Sequence, residues 1–189
     1  LVYVLIALLV GFAYYEISAL NRTYTDVIDK RVPKLVDAKE LEMLIRRQVG
    51  SMRGYLLTGD ETSKANFETA HEKYKQTSKK LAAELTQTET KQLLAELDLL
   101  EQQFYELGQK TFELKEQNKP EQYTALVTTT GREITTKFDE TVAKFVAAQQ
   151  QEMDDANSDA SAAAAAIRRL ILVVGVLALA VGAMVSYFI

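Results

Sequence analysis

Arginine side chains on either side of a glycine are the residues of this chain whose types and spacing best suit the binding of a small anion. Arg46, Gly50 and Arg53 follow one another at i, i+4 and i+7, so in a helix they share one face. A glycine inside a helix costs ~1 kcal/mol relative to alanine, which indicates a close approach there by another helix or by a ligand. A guanidinium group holds a carboxylate through two parallel hydrogen bonds. The pattern therefore predicts contacts with an amino acid or an organic acid.

A second group of polar residues surrounds Gly131, further along the chain. Thr124, Thr128 and Thr135 repeat a similar helical spacing, with Arg132 beside the glycine. Threonine hydroxyls add donors and acceptors without adding a competing charge. The predicted ligand-binding residues are therefore Arg46, Arg53, Thr128, Arg132 and Thr135. An alternative stays open, in which Arg46 and Arg53 pair with glutamates on neighbouring helices or lie in solvent and the threonines are ordinary surface residues.

Signs of catalysis or metal binding are weak. His71 is the one histidine and the chain has no cysteine, so we expect a buried core histidine and no zinc site. Neighbouring carboxylates such as Asp154 and Asp155 point about 100° apart on a helix and do not converge on a substrate. The net charge of −4 gives no basic surface for nucleic acid. We predict no catalytic residues, no metal, no cofactor and no enzymatic activity.

Both ends of the chain are apolar. Residues 1–15 and 170–189 carry no charge, and about 20 apolar residues cross a bilayer core of ~30 Å. We predict transmembrane helices at 1–15 and 170–189, with a sensor domain at 16–169 between them. The first run is short, and we expect a span that has lost its first residues; a signal peptide is the alternative. Arg168 and Arg169 mildly oppose an extracytoplasmic domain, but long loops cross membranes largely regardless of charge.

Between these ends, apolar side chains recur at alternating steps of three and four residues, the spacing of packed helices. The first stripe comprises Leu35, Ala38, Glu42, Ile45, Val49, Met52 and Leu56, and the second comprises Phe67, His71, Tyr74, Ser78, Leu81 and Leu85. The third comprises Leu93, Leu97, Leu100, Phe104, Leu107, Thr111 and Leu114, and the fourth comprises Val127, Ile134, Phe138, Phe145 and Ala148. We therefore predict an all-α protein, an antiparallel up-down four-helix bundle continuous with two transmembrane helices.

Helix boundaries are predicted from capping residues. Gly59 suits the left-handed end of the first helix, and Asp60 suits the cap of the second. Thr86 with Glu89 suggests a capping box before the third helix, although this signal is weak. The segment 118–120 breaks the chain before the fourth helix, with proline suited to its first turn. We expect Pro33 to kink or restart the helix that follows the first span.

The motifs VPKL and RGYLLTGDE, the alanine-rich ANSDASAAAAA and the two apolar ends together resemble the sensory half of a bacterial methyl-accepting chemotaxis protein of the four-helix-bundle type. RGYLLTGDE also occurs in related input domains of sensor kinases. The resemblance implies a homodimer in the cell membrane, an extracytoplasmic ligand-binding domain and cytoplasmic signalling partners. In that family, arginines of the first helix and a threonine of the fourth hold the ligand. Arg46, Arg53, Thr128 and Thr135 are the matching residue types.

Three functions are consistent with the sequence. The first is a chemoreceptor module that binds a small molecule directly or through a ligand-loaded binding protein. The second is the input domain of a sensor histidine kinase or cyclase, and the third is a structural stalk without a ligand. For a receptor, we hypothesise that ligand binding shifts the fourth helix and that the small side chains of residues 156–166 ease this movement. Helix propensity alone is the alternative reason for those alanines.

Overall fold

Helices account for every regular element in the part of the chain that the computed structural model describes, which is residues 11, 12, 14, 15, 17, 18, 25 and 31–188. The helices are α1 (Val32–Thr58), α2 (Glu61–Glu84), α3 (Thr88–Glu116), α4 (Pro120–Leu126), a π-helix (Val127–Gly131) and α5 (Arg132–Phe188). The predicted all-α class is confirmed.

The chain divides into two units. One is Pro33–Gln150, and the other combines Leu1–Val32 with Gln151–Ile189. In the second unit, Arg31 Nη1 donates a hydrogen bond to the backbone carbonyl of Glu152 at 2.5 Å. Residues 1–10 and 13 of the first predicted span lie outside the described residues. Among the residues that are described, none of the helices combines the length and the apolar character that crossing a membrane requires.

The hydrophobic core lies in the Pro33–Gln150 unit, and the second and third predicted stripes supply much of it. All six residues of the second stripe are buried. In the third stripe only Leu93 is partly exposed. Apolar residues spaced at three and four fall on one side of a helix with 3.6 residues per turn, which explains the agreement.

The first helix packs by a face that is rotated from the predicted one. Ala38, Ile45 and Met52 are buried as expected, but Glu42 and Leu56 are only partly buried. The centre of the buried face is instead formed by residues that the stripe omitted: Leu41, Leu44, Gln48 and Tyr55. Pro33 lies in the first turn of α1, where its missing amide hydrogen leaves no internal bond unmade.

The segment RGYLLTGDE forms the connection between α1 and α2. Gly59 has φ of +73° and donates its amide hydrogen to the Tyr55 carbonyl, and Asp60 Oδ1 accepts the amide hydrogen of Thr62 at 3.0 Å. Both predictions are confirmed, and the Asp60 interaction lowers the pKa of its carboxyl. Tyr55 is buried and packs edge-on against Phe112, with ring centroids 4.8 Å apart.

The other two connections differ from each other in how well they were predicted. The capping box at Thr86 is wrong, because α3 begins at Thr88 and its N-cap Gln87 makes no side-chain capping bond. The break at 118–120 is confirmed, since α3 ends at Glu116 and α4 begins at Pro120. The predicted fourth helix is interrupted by five residues of π-helix, Val127–Gly131, which the periodicity did not indicate.

Candidate ligand-binding site

A cavity of about 390 Å³ brings together four of the five residues predicted to bind a ligand. Arg53 comes from α1, Thr128 from the π-helix, and Arg132 and Thr135 from α5. Apolar side chains form the rest of the wall: Val49, Met52, Phe104 and Val127, with Gly131. The volume is within the range of about 300–1,000 Å³ that is typical of small-molecule sites.

The two arginines of this cavity have no counter-ion among the described residues. Arg53 and Arg132 are exposed, and neither guanidinium group forms a hydrogen bond or ion pair with any residue that the structure describes. Two positive charges facing one apolar-walled cavity attract an anion, and guanidinium groups can meet a carboxylate with paired hydrogen bonds. The arrangement is therefore suited to a carboxylate or a similar small anion.

The two threonines contribute less than the sequence suggested. Thr128 Oγ1 donates to the Thr124 carbonyl at 2.8 Å, and Thr135 Oγ1 donates to the Gly131 carbonyl at 2.9 Å. Because each hydroxyl hydrogen is already used within its own helix, the oxygen is left as an acceptor. Donors to an anion must then come from the arginines.

A π-helix borders the cavity. The segment Val127–Gly131 supplies three lining residues, and Gly131 is buried. A Cβ on Gly131 would lie 3.3 Å from Leu107 Cδ2, so glycine allows α3 to approach closely at this point. Single turns of π-helix are rare and often occur at functional sites, because they change the direction of side chains within a long helix.

Arg46, the fifth predicted residue, is not part of the cavity. Its guanidinium group donates from Nη2 and Nε to Glu42 Oε1 at 2.9 and 3.1 Å, and lies 3.7 Å from Asp139. The hydrogen bond with Glu42 and the charge of Asp139 raise the pKa of Arg46. Arg46 is thus paired with carboxylates, as the alternative held, but the glutamate is on its own helix and the contact from another helix is an aspartate.

A buried polar network that sequence reasoning missed joins α1, α2 and α3. Glu101 is 2% exposed, and its Oε1 lies 2.8 Å from His71 Nδ1 and accepts a hydrogen bond from Gln48 Nε2 at 2.6 Å. Burial raises the pKa of the Glu101 carboxyl, while the two hydrogen bonds oppose the rise. His71 is buried as predicted and also stacks on Tyr105, with ring centroids 3.7 Å apart. The single histidine thus has a structural partner within the core.

A second cavity, of about 520 Å³, lies along α2 and α3 and is lined by residues that include Tyr74, Asp98 and Glu101. Ser78 Oγ donates to Asp98 Oδ1 at 2.6 Å, and burial raises the pKa of the Asp98 carboxyl. Lysines such as Lys75 and Lys79 also line this cavity. Since its polar groups are of mixed charge and several already pair with each other, it has less unsatisfied charge to offer a ligand.

The fold is an all-α domain whose helices share one core, with open cavities between the helices. The sequence profile of the CHASE3 domain matches residues 25–159, and the chain belongs to this family. CHASE3 domains are extracellular sensory domains of receptors of the chemotaxis, histidine-kinase and cyclase types, so the resemblance is confirmed at the level of a sensory domain in signal transduction. No curated protein and no solved structure matches the chain.

Proposed function

We propose that this CHASE3 domain binds a small organic anion in the cavity between Arg53 and Arg132 and passes the signal along the helix that carries Arg132. The observation that supports this most directly is the pair of guanidinium groups without counter-ions facing one cavity of about 390 Å³. A carboxylate bound there pairs with both guanidinium groups and offsets one of their two positive charges, without displacing an existing ion pair. The module binds its ligand and does not convert it.

The proposed arrangement of the sensor is an antiparallel up-down bundle. Consecutive helices run in opposite directions: Asp37 near the start of α1 pairs with Lys80 near the end of α2, and Lys64 near the start of α2 pairs with Glu116 at the end of α3. α1 and α3 run in the same direction, since Tyr55 near the end of α1 also donates a hydrogen bond to Glu116. α4, the π-helix and α5 follow each other and together form the fourth helical segment of the bundle. In this arrangement a ligand at Arg132 contacts α5, the helix that continues toward residue 170.

The ligand signal is proposed to travel along α5. The segment 156–166 is rich in alanine and serine, and small side chains let neighbouring helices move past each other with little resistance. Replacing Ala163 and Ala166 with leucine in the full-length receptor should reduce the response to ligand without changing ligand binding. An unchanged response would contradict this route.

The membrane setting and the homodimer are also proposals. The uncharged run 170–189 supports a membrane span, with the sensor domain outside the cytoplasm. Val36 and Met43, seven residues apart in the first half of α1, are 58% and 59% exposed. A heptad series of exposed apolar residues is typical of a helix that packs against a second copy.

The ligand site is tested by thermal unfolding of the 189-residue chain, purified in detergent, with carboxylates and their primary amides. Carboxylates should raise the melting temperature and the uncharged amides should not, because only the anion satisfies both arginines. Arg53→Gln and Arg132→Gln should each weaken binding by roughly tenfold or more, since each removes charge-assisted hydrogen bonds.

Arg47→Gln is the matched control, since Arg47 is exposed on α1 and lies outside the lining of this cavity. Binding should be unchanged in this variant. Equal melting shifts with the amides, or an equal loss of binding in Arg47→Gln, would contradict the proposed site.

The signalling output is proposed to be chemotactic, on the resemblance to chemotaxis receptors. Histidine-kinase and cyclase receptors also contain CHASE3 domains and are the alternative. Fusing residues 1–189 to a chemotaxis signalling domain and to a histidine-kinase domain would compare them. The proposal expects an acid-dependent response from the chemotaxis fusion, and a response from the kinase fusion alone would contradict it.

A further inference from the structure

The cavity that contains Arg53 adjoins a second, more apolar cavity. A cavity of about 380 Å³ shares Arg53, Val127 and Thr128 with the one described above. Its other lining residues are Leu56, Leu57, Tyr123 and Thr124. The two cavities therefore form one groove, cationic where Arg132 lies and apolar where Leu56 and Leu57 lie.

At the apolar end of the groove, one leucine side chain is exposed to solvent. Leu57 is 84% exposed, whereas Leu56 beside it is partly buried against the core. A large exposed apolar side chain next to an open cavity gains from contact with any apolar body that enters, because both surfaces leave water. The ring of Tyr123 supplies a further apolar face in the same cavity.

The charges of the groove are of one sign. Its lining residues include two arginines and no aspartate or glutamate. An ammonium group in the groove would lose water without gaining an ionic partner, and it would also be repelled by Arg53 and Arg132. Thr128 and Thr135 offer it acceptor oxygens but no negative charge, so a free amino acid is a poorer occupant than a simple carboxylate.

A second carboxylate would also be misplaced. Once one carboxylate is held between Arg53 and Arg132, the rest of the molecule extends past Val127 toward Leu56 and Leu57. A charged group at that end would be placed against apolar side chains at a cost in desolvation. An apolar body fits there without this cost.

We propose, building on the proposed function, that the occupant of this groove is a monocarboxylate with an apolar body, its carboxylate at Arg53 and Arg132 and its body along Leu56, Leu57 and Tyr123. The class includes arylacetates and branched-chain acids. The groove discriminates against free amino acids through its uniform positive charge and against dicarboxylates through its apolar end.

Phenylacetate is a suitable probe, titrated calorimetrically into the 189-residue chain in detergent. Phenylacetate should bind at least about tenfold more tightly than acetate, which lacks the ring, and than phenylacetamide, which lacks the charge. Phenylalanine, which adds an ammonium group, and phenylsuccinate, which adds a carboxylate, should each bind at least several-fold more weakly than phenylacetate.

Leu57→Gln should weaken phenylacetate binding several-fold and leave acetate binding unchanged. Leu99→Gln is the matched control, because Leu99 is 59% exposed and lies outside both cavities. This inference is overturned if phenylalanine or phenylsuccinate binds as well as phenylacetate and Leu57→Gln has no effect. The proposed anion site still stands in that case if binding depends on Arg53. If none of these acids binds, or binding ignores Arg53→Gln and Arg132→Gln, both are overturned.

Discussion

Two polar regions of the Pro33–Gln150 unit differ in whether their charged side chains are buried and paired. Glu101 is buried, and Gln48 and His71 both contact its carboxylate from other helices. Arg53 and Arg132 are exposed beside a cavity and have no partner among the described residues. Leaving a buried charge unpaired costs several kcal/mol, whereas an exposed arginine keeps its water. The comparison indicates that the hydrogen-bonded network around Glu101 serves the fold and that the unpaired charges are available to a ligand.

The largest expected effect is at the paired region. Glu101→Leu removes the acceptor shared by His71 and Gln48 and leaves two buried polar groups unsatisfied, so the free energy of unfolding should fall by about 3 kcal/mol. Denaturant unfolding measures this change. Glu106→Leu, on an exposed face of the same helix, is the control and should change stability by less than about 0.5 kcal/mol. Similar losses in both variants would contradict a structural role for the network.

A second variant tests the packing around the network. A Cβ on Gly108 would lie 2.3 Å from Phe67 Cζ, and Phe67 stacks on Tyr105, which in turn stacks on His71. Gly108→Ala should therefore lower the free energy of unfolding by about 1–3 kcal/mol.

At Gly131, beside the cavity, the closest atom to a new Cβ is a leucine methyl at 3.3 Å, so Gly131→Ala should cost less than Gly108→Ala. The double variant Gly108→Ala with Phe67→Leu should recover part of the loss. An equal cost at the two glycines would contradict the difference in packing.

The third prediction concerns pH. The pKa of Glu101 in the folded protein is raised above its ordinary value of 4.5, chiefly by burial. Such a carboxyl favours the folded state most when it is protonated, and this contribution is lost as the pH rises through the folded-state pKa. Glu101→Gln keeps an acceptor oxygen for His71 and Gln48 but removes the charge.

The stability of Glu101→Gln relative to the wild type should therefore increase as the pH rises above 4.5. Unfolding at a series of pH values measures the difference. The pKa of Asp98 is also raised, but Asp98 is present in both proteins, so its effect on the stability difference between them largely cancels. A difference that does not change with pH would contradict the assigned role of burial.

The smallest effect is expected at the unpaired region. Arg53→Gln and Arg132→Gln should each change the free energy of unfolding by less than about 0.5 kcal/mol, because neither side chain has a partner to lose. A loss of 2 kcal/mol or more in either variant would mean that these arginines stabilise the fold, and the comparison between the two regions would no longer hold.

Sequence periodicity predicted the fold well where a helix has one apolar face. α2 illustrates this, since every residue of its predicted stripe is buried. Periodicity predicted the buried face of α1 less well. Gln48 is buried because it bonds to Glu101, 53 residues away, and a local sequence pattern does not reveal a distant partner. The close approach of Leu107 to Gly131 was missed for the same reason, since Gly131 is read as an ordinary helical glycine until its neighbour on α3 is known.

The candidate site was predicted in part for the same reason. Residue type identified Arg53, Thr128, Arg132 and Thr135, which line one cavity. The spacing rule for helical ion pairs was the missed signal: Arg46 has Glu42 four residues earlier on its own helix, whereas Arg53 has no carboxylate three or four residues away. The apolar residues of the groove were missed as site residues because leucines in a helix first suggest the core. Leu57, exposed in the same cavity as Arg53, was not among the predicted site residues.

The most direct measurement follows the arginine Nε–H resonances of the ¹⁵N-labelled 189-residue chain by NMR during titration with phenylacetate. The resonances of Arg53 and Arg132 should shift together along one saturation curve, because both guanidinium groups meet the same carboxylate. Arg46, already bonded to Glu42, should not shift with them. Equal shifts at Arg46 and Arg53, or unmoved Arg53 and Arg132 resonances at saturating acid, would contradict the claim that the unpaired arginines form the ligand site.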